Sequence, residues 1–510
     1  MRPRHWQSFG YPALLAILFG WAYLRTLSPT IWYGDTAEFQ TIAVMGGLGH
    51  PTGYPLYLTI AKLFVHLPFG NPAANLNFMS ALFGVLAVLI VYLLGRQVID
   101  SRAAAFGAAL IFGIGKSFWS QTSLAEVYTL HIFLLGLVLL LFLRWARESL
   151  PVFLWCGLFV LGLSFGNHMS TVLVIPALIY LIIIHRKALL VSEKKSSAFT
   201  LFIPLGAALG IVLLLYYLLD RSASQYDHLR AIDMMSPESW GKTAADFDSF
   251  PKRILHLLTA RQFAGSMFNI GWDEMGRRAI KSLAFARENL GYPGIAAAIV
   301  GTVVLFIKRI WLAIFWGIFG LSVYIYCLNY GIWEFDIDIY FIPIWLAAAV
   351  IVGLLFEYIH DRVSGFLLGK YLNPLVGAVV LVAIVFSILA GSEQGDGLKK
   401  GHPPGIPEPR AAYQSAKPVV DKLEDNAIVF ALWHQIHVLG YIFLIEEKRS
   451  GIGLHEIYPA GQSYKFSTSY LKYIDANIDS RPIYLTYPAR GLDTLYRFED
   501  HPPLIRLRRK

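Results

Sequence analysis

Cysteine is almost absent from this sequence: there are two in 510 residues, Cys156 and Cys327. Both fall in hydrophobic runs that the topology below places towards opposite membrane faces. No disulfide is expected, and the redox compartment is not readable from them. Charge is scarce as well. Asp, Glu, Lys and Arg make up 15% of the chain, against roughly a quarter in a soluble domain. There is no P-loop, HExxH, GxSxG or paired CxxC, so neither a nucleotide cradle nor a zinc site is suggested. No internal repeat and no low-complexity tract occurs. The formal charge of +9 comes without a basic stripe interleaved with aromatics, so no nucleic-acid partner is expected.

What fills the sequence is apolar. Hydrophobic residues are 56% of the chain and mean hydropathy is +0.53. Runs of roughly 17–25 apolar residues recur, which reads as an α-helical polytopic membrane protein. The spacing predicts about eleven spans, near 9–27, 74–98, 103–119, 127–145, 152–166, 169–184, 198–219, 292–307, 310–328, 340–357 and 373–391. The N-terminus starts like a signal peptide, but its apolar run is long and no small-residue cleavage site follows, so an uncleaved first helix is expected. Arg2 and Arg4 precede that helix, and the positive-inside rule puts them in the cytoplasm. Nearly every short loop then assigned inside carries Lys or Arg, while Asp35, Glu38, Glu126, Glu334, Asp336 and Asp338 sort to the outer side. An odd number of spans leaves the C-terminus outside as well. In a bacterium that membrane is the plasma membrane; in a eukaryote it is the endoplasmic reticulum, with a lumenal site.

The expected organisation is a membrane domain over 1–391, with a first outer loop at 28–73 and a long outer loop at 220–291. A Gly- and Pro-rich linker follows at 392–410. Residues 411–510 read as a small extracytoplasmic α/β domain. Its apolar runs 426–432 and 482–487 look like buried strands, and 433–448 looks helical. Residues 36–66 are only moderately apolar and suggest one or two helices along the interface.

Chemistry concentrates in the outer loops. Asp35 and Glu38 stand three residues apart, on one face if the segment is helical. The turn-forming stretch His50-Pro51-Thr52-Gly53-Tyr54-Pro55 follows. Glu126, Tyr128, His131, Asn167, His168, Arg261, Asp336 and Asp338 lie in four further outer segments. Ionisable groups at the edge of spans are costly, which makes them functional candidates as a set. Singly, each also fits a structural role: a helix cap for Asp35, an interhelical hydrogen bond for His131, a solvated charge for Arg261. Asp336 and Asp338 fit either a divalent metal or a solvated turn.

Several of these stretches together resemble a known family. They are Asp35-x-x-Glu38-Phe39, GHPTGYPLY at 49–57, Trp119-Ser120-Gln121 with AEVYTLH ending at His131, Gly166-Asn167-His168, Arg261-Gln262-Phe263, and DIDIYFIP from Asp336. They are similar to one branch of the GT-C membrane glycosyltransferases, whose animal member is a protein O-mannosyltransferase. The resemblance covers roughly residues 10–345. It implies transfer of a sugar, mannose, from a polyprenyl-phosphate donor to a Ser or Thr hydroxyl of a secreted or membrane protein, with inversion. Asp35 is then the general base. Glu38 and Glu126 orient acceptor or sugar, His50, Tyr54, Tyr128, His131 and His168 line the substrate site, and Arg261 meets the leaving phosphate. The rival readings are a transporter or flippase using the outer acids as a relay, and a structural assembly protein. Inverted repeats and broken helices at the midplane would mark a transporter, and neither is visible.

Overall fold

The computed structural model describes residues 10–187, 198–260, 267–331, 337–363, 369–390, 392–459, 466–489 and 491–510. Among these, six helices are long and apolar enough to cross a membrane: Pro72–Val98, Tyr128–Glu148, Phe202–Arg221, Trp272–Lys308, Ile310–Asn329 and Ile337–Arg362. Two bent pairs bring the number to eight if each is one span: Arg102–Ile114 with Lys116–Thr122, bent by 69°, and Gly377–Leu389 with Glu393–Lys400, bent by 79°. The sequence pattern predicts about eleven. Three of the predicted ones are helices too short to count by length alone, Gly10–Arg25 at 16 residues, Pro151–Ser164 at 14 and Met169–Ile184. The protein is thus a multi-pass α-helical membrane protein. Its lipid-facing character shows on Phe202–Arg221, where Phe202, Ile203, Leu213, Leu214 and Leu218 are exposed.

The chain divides into two compact units. The first is Met1–Leu27, Ser80–Val212 and Ser266–Pro407. Its core gathers Leu15, Phe19 and Tyr23 with Phe112, Phe118 and Trp119, and further along Phe315, Phe319, Phe341 and Leu346. Two expectations are corrected here. Residues 272–290, read as the end of a long outer loop, are helical, because their charges recur at helical spacing around a narrow apolar stripe. That helix runs into the next span with a break at Gly291, whose φ of 64° only glycine adopts freely. And the linker expected at 392–410 contains a helix, Glu393–Lys400, capped by Ser392, whose side chain accepts from the Gly395 N–H.

The second unit is Ser28–Met79, Leu213–Gly265 and Glu408–Lys510. Two helices, Gly34–Met45 and Pro55–Phe64, occupy the moderately apolar stretch. The C-terminal segment holds a five-stranded sheet of β1 (Ile428–Ala431), β2 (Gly453–Glu456), β3 (Ile483–Leu485), β4 (Tyr496–His501) and β5 (Leu504–Arg509). The order is β2-β1-β3-β5-β4. β1 pairs in parallel with both β2 and β3, and β5 pairs antiparallel with β3 and β4. All four residues of β1 are buried, as in a strand covered on both faces. One face packs Val429 and Ala431 with Ile436, Leu439 and Tyr441, and also with Ile31, Ala37 and Ala73 from the N-terminal part. The other packs Ile428 and Phe430 with Tyr470, Ile474 and Leu507. Residues 411–510 therefore share a compact unit with segments of the outer loops.

Candidate active site

The helix Gly34–Met45 is pinned at both ends. The Gln40 side chain accepts from the Trp32 N–H at 3.2 Å and donates to Asn77 at 2.8 Å. At the other end the Gly46 N–H closes on the Ile42 carbonyl at 2.7 Å. Gly47 (φ 130°) follows, where an added Cβ would sit 2.2 Å from Asp227 Cβ. That close approach lets the Leu48 N–H reach Asp227 Oδ2 at 3.3 Å and the Leu48 carbonyl accept from the His228 N–H at 3.2 Å. Two distant segments, 46–54 and 227–233, are thereby sewn together beside Glu38.

Glu38 has no exposed surface. Its Oε1 accepts from the His50 backbone N–H at 2.9 Å and lies 3.0 Å from His228 Nδ1, while Oε2 is 2.5 Å from His50 Nδ1. His228 Nε2 stands 3.5 Å from Asp233 Oδ1, and the other oxygen of Asp233 is 2.8 Å from His256 Nε2. His437 Nε2 lies 4.0 Å from Glu38 Oε1. The result is a buried row of alternating carboxylates and imidazoles.

Burial by itself would raise the Glu38 carboxyl. The charge of His50 and the hydrogen bonds from His228 and His50 outweigh it and hold the group below the ordinary carboxylate range. Burial likewise opposes charge on His50 and His228. The carboxylates of Asp35 and Glu38 raise His50 above the usual imidazole value, and those of Asp233 and Glu38 raise His228 well above it. Asp233, despite burial, is held low by His228 and His256. His437 is pushed down to about 4 by burial, and Glu456 is pushed up to about 8 by burial. The surroundings therefore favour the charged forms of Glu38, Asp233, His50 and His228 and disfavour those of His437 and Glu456.

Asp35 stands at the open end, with its side chain 49% exposed. Trp433 Nε1–H donates to its Oδ1 at 3.1 Å, and Oδ2 lies 3.7 Å from His50 Nε2. The same nitrogen of His50 is 2.9 Å from the Tyr54 hydroxyl. This is a carboxylate open to solvent, braced from behind by an imidazole that Glu38 fixes.

The first unit holds a second group. His131 and His168 stack at 5.2 Å between ring centroids, with Tyr128 at 5.4 Å and Tyr340 at 6.0 Å from His168. Ser170 Oγ bridges the imidazoles, 2.6 Å from His168 Nδ1 and 3.2 Å from His131 Nε2. Glu126 meets Ser80 through its backbone. Asp338 accepts from Ser117 Oγ at 2.9 Å, and Asp336 and Arg261 lie outside the described residues. Among the described residues, no cluster of three or more His, Cys, Asp or Glu side chains could hold a metal ion.

Asp35, Glu38, His50 and Tyr54, singled out from sequence, come together in the second unit; Tyr128, His131 and His168 come together in the first. Sequence reasoning missed His228, Asp233 and His256 from the long outer loop and Trp433, His437 and Glu456 from the C-terminal segment. The signal for His228 and Asp233 was Asp227-His228-x-Arg230-x-x-Asp233, ionisable groups among apolar ones; His256 had none. For Trp433 and His437 it was the i, i+4 spacing of two rings on one short helix.

Residues 35–191 match the family model described as the N-terminal domain of the protein O-mannosyl-transferase TMEM260. This stretch is thus similar to a TMEM260-type N-terminal domain. The match begins at Asp35 itself, and it agrees with the likeness to the O-mannosyltransferase-like branch of the GT-C superfamily drawn from the motifs. The mouse protein O-mannosyl-transferase TMEM260 is 30% identical over 206 residues, 39% of this chain and 29% of the relative. The Dictyostelium discoideum protein of the same name is 23% identical over 300 residues, 55% of this chain and 34% of the relative. The chain thus spans about a third of the length of the curated TMEM260 relatives it matches. Two solved structures share the fold. ArnT from Cupriavidus metallidurans bound to undecaprenyl phosphate superposes with a TM-score of 0.54 at 10% identity, covering 98% of both chains. The Archaeoglobus fulgidus oligosaccharyltransferase gives 0.53 at 14% identity, covering 94% of this chain and 70% of that one.

Proposed function

We propose that the protein is a glycosyltransferase that moves mannose from a polyprenyl-phosphate donor to a Ser or Thr hydroxyl of a translocated protein, with inversion. The observation that carries this reading is Asp35, a half-exposed carboxylate held on two sides by Trp433 and His50 at the start of the TMEM260-type match. Asp35 is the general base. A carboxylate is too weak to ionise an alcohol beforehand, so it takes the proton as the new bond forms. The acceptor oxygen bonds to the anomeric carbon, the bond from that carbon to the phosphate oxygen breaks, and the lipid phosphate leaves with the electron pair. Glu38, fully buried, does not touch the acceptor; it holds His50, which holds Asp35. Tyr128, His131, His168 and Glu126 bind the donor or the sugar, and Arg261 meets the charge that develops on the leaving phosphate. The reaction occurs on the extracytoplasmic side, where charge sorting of the loops assigns these residues. The name of the relatives and the bound undecaprenyl phosphate of the ArnT structure support the choice of reaction and of donor class.

The test is transfer of radiolabelled mannose from a polyprenyl phosphate to Ser/Thr peptides by the purified protein. Wild type should transfer and Asp35→Asn should lose on the order of a hundredfold or more, the usual scale for a general base. Absence of transfer with sugar-phosphate movement across vesicles would favour a flippase instead.

A further inference from the structure

In an α/β sheet with parallel strands, ligands gather at the carboxyl ends of those strands, because the loops leaving them present free backbone groups and the starts of helices. Here β1 and β2 are parallel. Trp433 stands two residues past the end of β1, as the first residue of the helix Trp433–Gly440, and Glu456 is the last residue of β2. Both arrive at the Asp35 group. The Trp433 indole N–H bonds Asp35 Oδ1 at 3.1 Å, and its ring sits edge-on to His50 at 5.9 Å, His228 at 5.5 Å and His437 at 5.2 Å. The helix itself is tied down by Thr41, whose hydroxyl donates to the His437 carbonyl at 3.0 Å. β2 is tied by His455, whose Nδ1 lies 3.0 Å from the Ala231 carbonyl.

We propose that the C-terminal α/β segment completes the catalytic centre, with Trp433 as the positioning residue for Asp35. This rests on the reading of Asp35 as the base. The short Asp35 side chain has one oxygen engaged by the indole, which leaves the other, near His50, to meet an acceptor hydroxyl. Without the indole the carboxylate turns freely about its terminal torsion, which is soft, and the share of time it spends aligned falls. A near-attack geometry is sensitive to displacements of about 1 Å. The segment thus aims a base that lies near the opposite end of the chain.

The experiment is Trp433→Phe, which keeps a flat ring and deletes the donor. Initial rates are measured with polyprenyl-phosphate mannose and a Ser/Thr peptide across pH, beside Asp35→Asn. A hydrogen bond to a charged group is worth enough to predict a fall in kcat/KM on the order of tenfold, mostly in kcat, with the donor KM unchanged. The groups facing the pair are His50, His228, His437 and Glu38, and none is altered. A merely structural role for Trp433 would lower the amount of folded enzyme while leaving kcat per folded molecule, counted by donor binding, at the wild-type value. A Trp433→Phe enzyme with wild-type kcat and kcat/KM per folded molecule, alongside an inactive Asp35→Asn, overturns the role of Trp433 alone. An active Asp35→Asn overturns the base assignment, and the role of Trp433 with it.

Discussion

Replacing Glu38 by glutamine removes one charge from the centre of the buried row while leaving its volume almost unchanged. The carboxylate takes three contacts from His50 and His228, at 2.9, 2.5 and 3.0 Å, with no exposed surface. The amide has a single acceptor oxygen. With that oxygen in the Oε1 position it keeps the His50 backbone N–H and His228, but its NH2 then faces His50 Nδ1. His50 must give up a proton to accept, and it is left neutral beside Asp35. His228 loses a counter-charge as well. Breaking a buried ion pair by removing one partner costs about 3–5 kcal/mol. At roughly 2 °C per kcal/mol for a large chain, that lowers the unfolding midpoint on the order of 6–10 °C. The pH dependence carries a second signature. Glu38 is held low, so its contribution is complete above the unfolded carboxyl value of about 4.3 and fades as the pH falls towards the folded one. His50 and His228 are held high, so theirs is complete below about 6.5 and fades as the pH rises through the folded values. Wild-type stability should therefore peak between about pH 4.5 and 6.5 and decline on the alkaline side; in Glu38→Gln that decline should flatten. Thermal unfolding of the detergent-solubilised protein, followed by intrinsic tryptophan fluorescence, measures both. A variant midpoint within about 1 °C of wild type, with the same pH profile, would refute an ionised Glu38 at the heart of the site.

Tyr54→Phe deletes the hydroxyl 2.9 Å from His50 Nε2, and one such bond predicts a loss of about five- to tenfold in kcat/KM, read in the transfer assay. Gly291→Ala puts a side chain on a φ of 64° and a Cβ 1.8 Å from Ser387 Oγ. It should destabilise by about 2–4 kcal/mol, with Ser387→Gly in the same chain recovering the steric share in a thermal melt. Deleting residues 408–510 should leave no transfer activity and a protein prone to aggregate in size-exclusion chromatography, because Ile31, Ala37 and Ala73 lose the face that buries them.

The parts of the fold that sequence reveals are those where a single segment decides its own state. Long apolar runs, the two moderately apolar helices and the C-terminal strands at 428–431 and 483–485 are all of this kind. The helix at 272–290 is hidden by its charges, since hydropathy reads depth in the membrane and says nothing about helicity outside it. The candidate site divides the same way. Asp35, Glu38, His50 and Tyr54 lie within about twenty residues of one another, and their spacing is visible. His228 and Trp433 reach them across 190 and 398 residues, and no local pattern encodes a contact made by tertiary packing. Even the roles of the acidic pair depend on that packing. Spacing alone suggests that each carboxylate feels the other, whereas in the fold the imidazoles of His50 and His228 hold Glu38 on two sides and favour its charged form.

The separation of 398 residues between Asp35 and Trp433 also bears on how the protein is made. Synthesis at about 5–20 residues per second leaves the helix Gly34–Met45 waiting on the order of 20–80 s before Trp433 emerges. During that interval Glu38 and its histidines lack their inner cover, and Ile31, Ala37 and Ala73 have nothing to pack against. A nascent chain therefore carries exposed apolar surface around the helix Gly34–Met45 until the helix that starts at Trp433 has been translated.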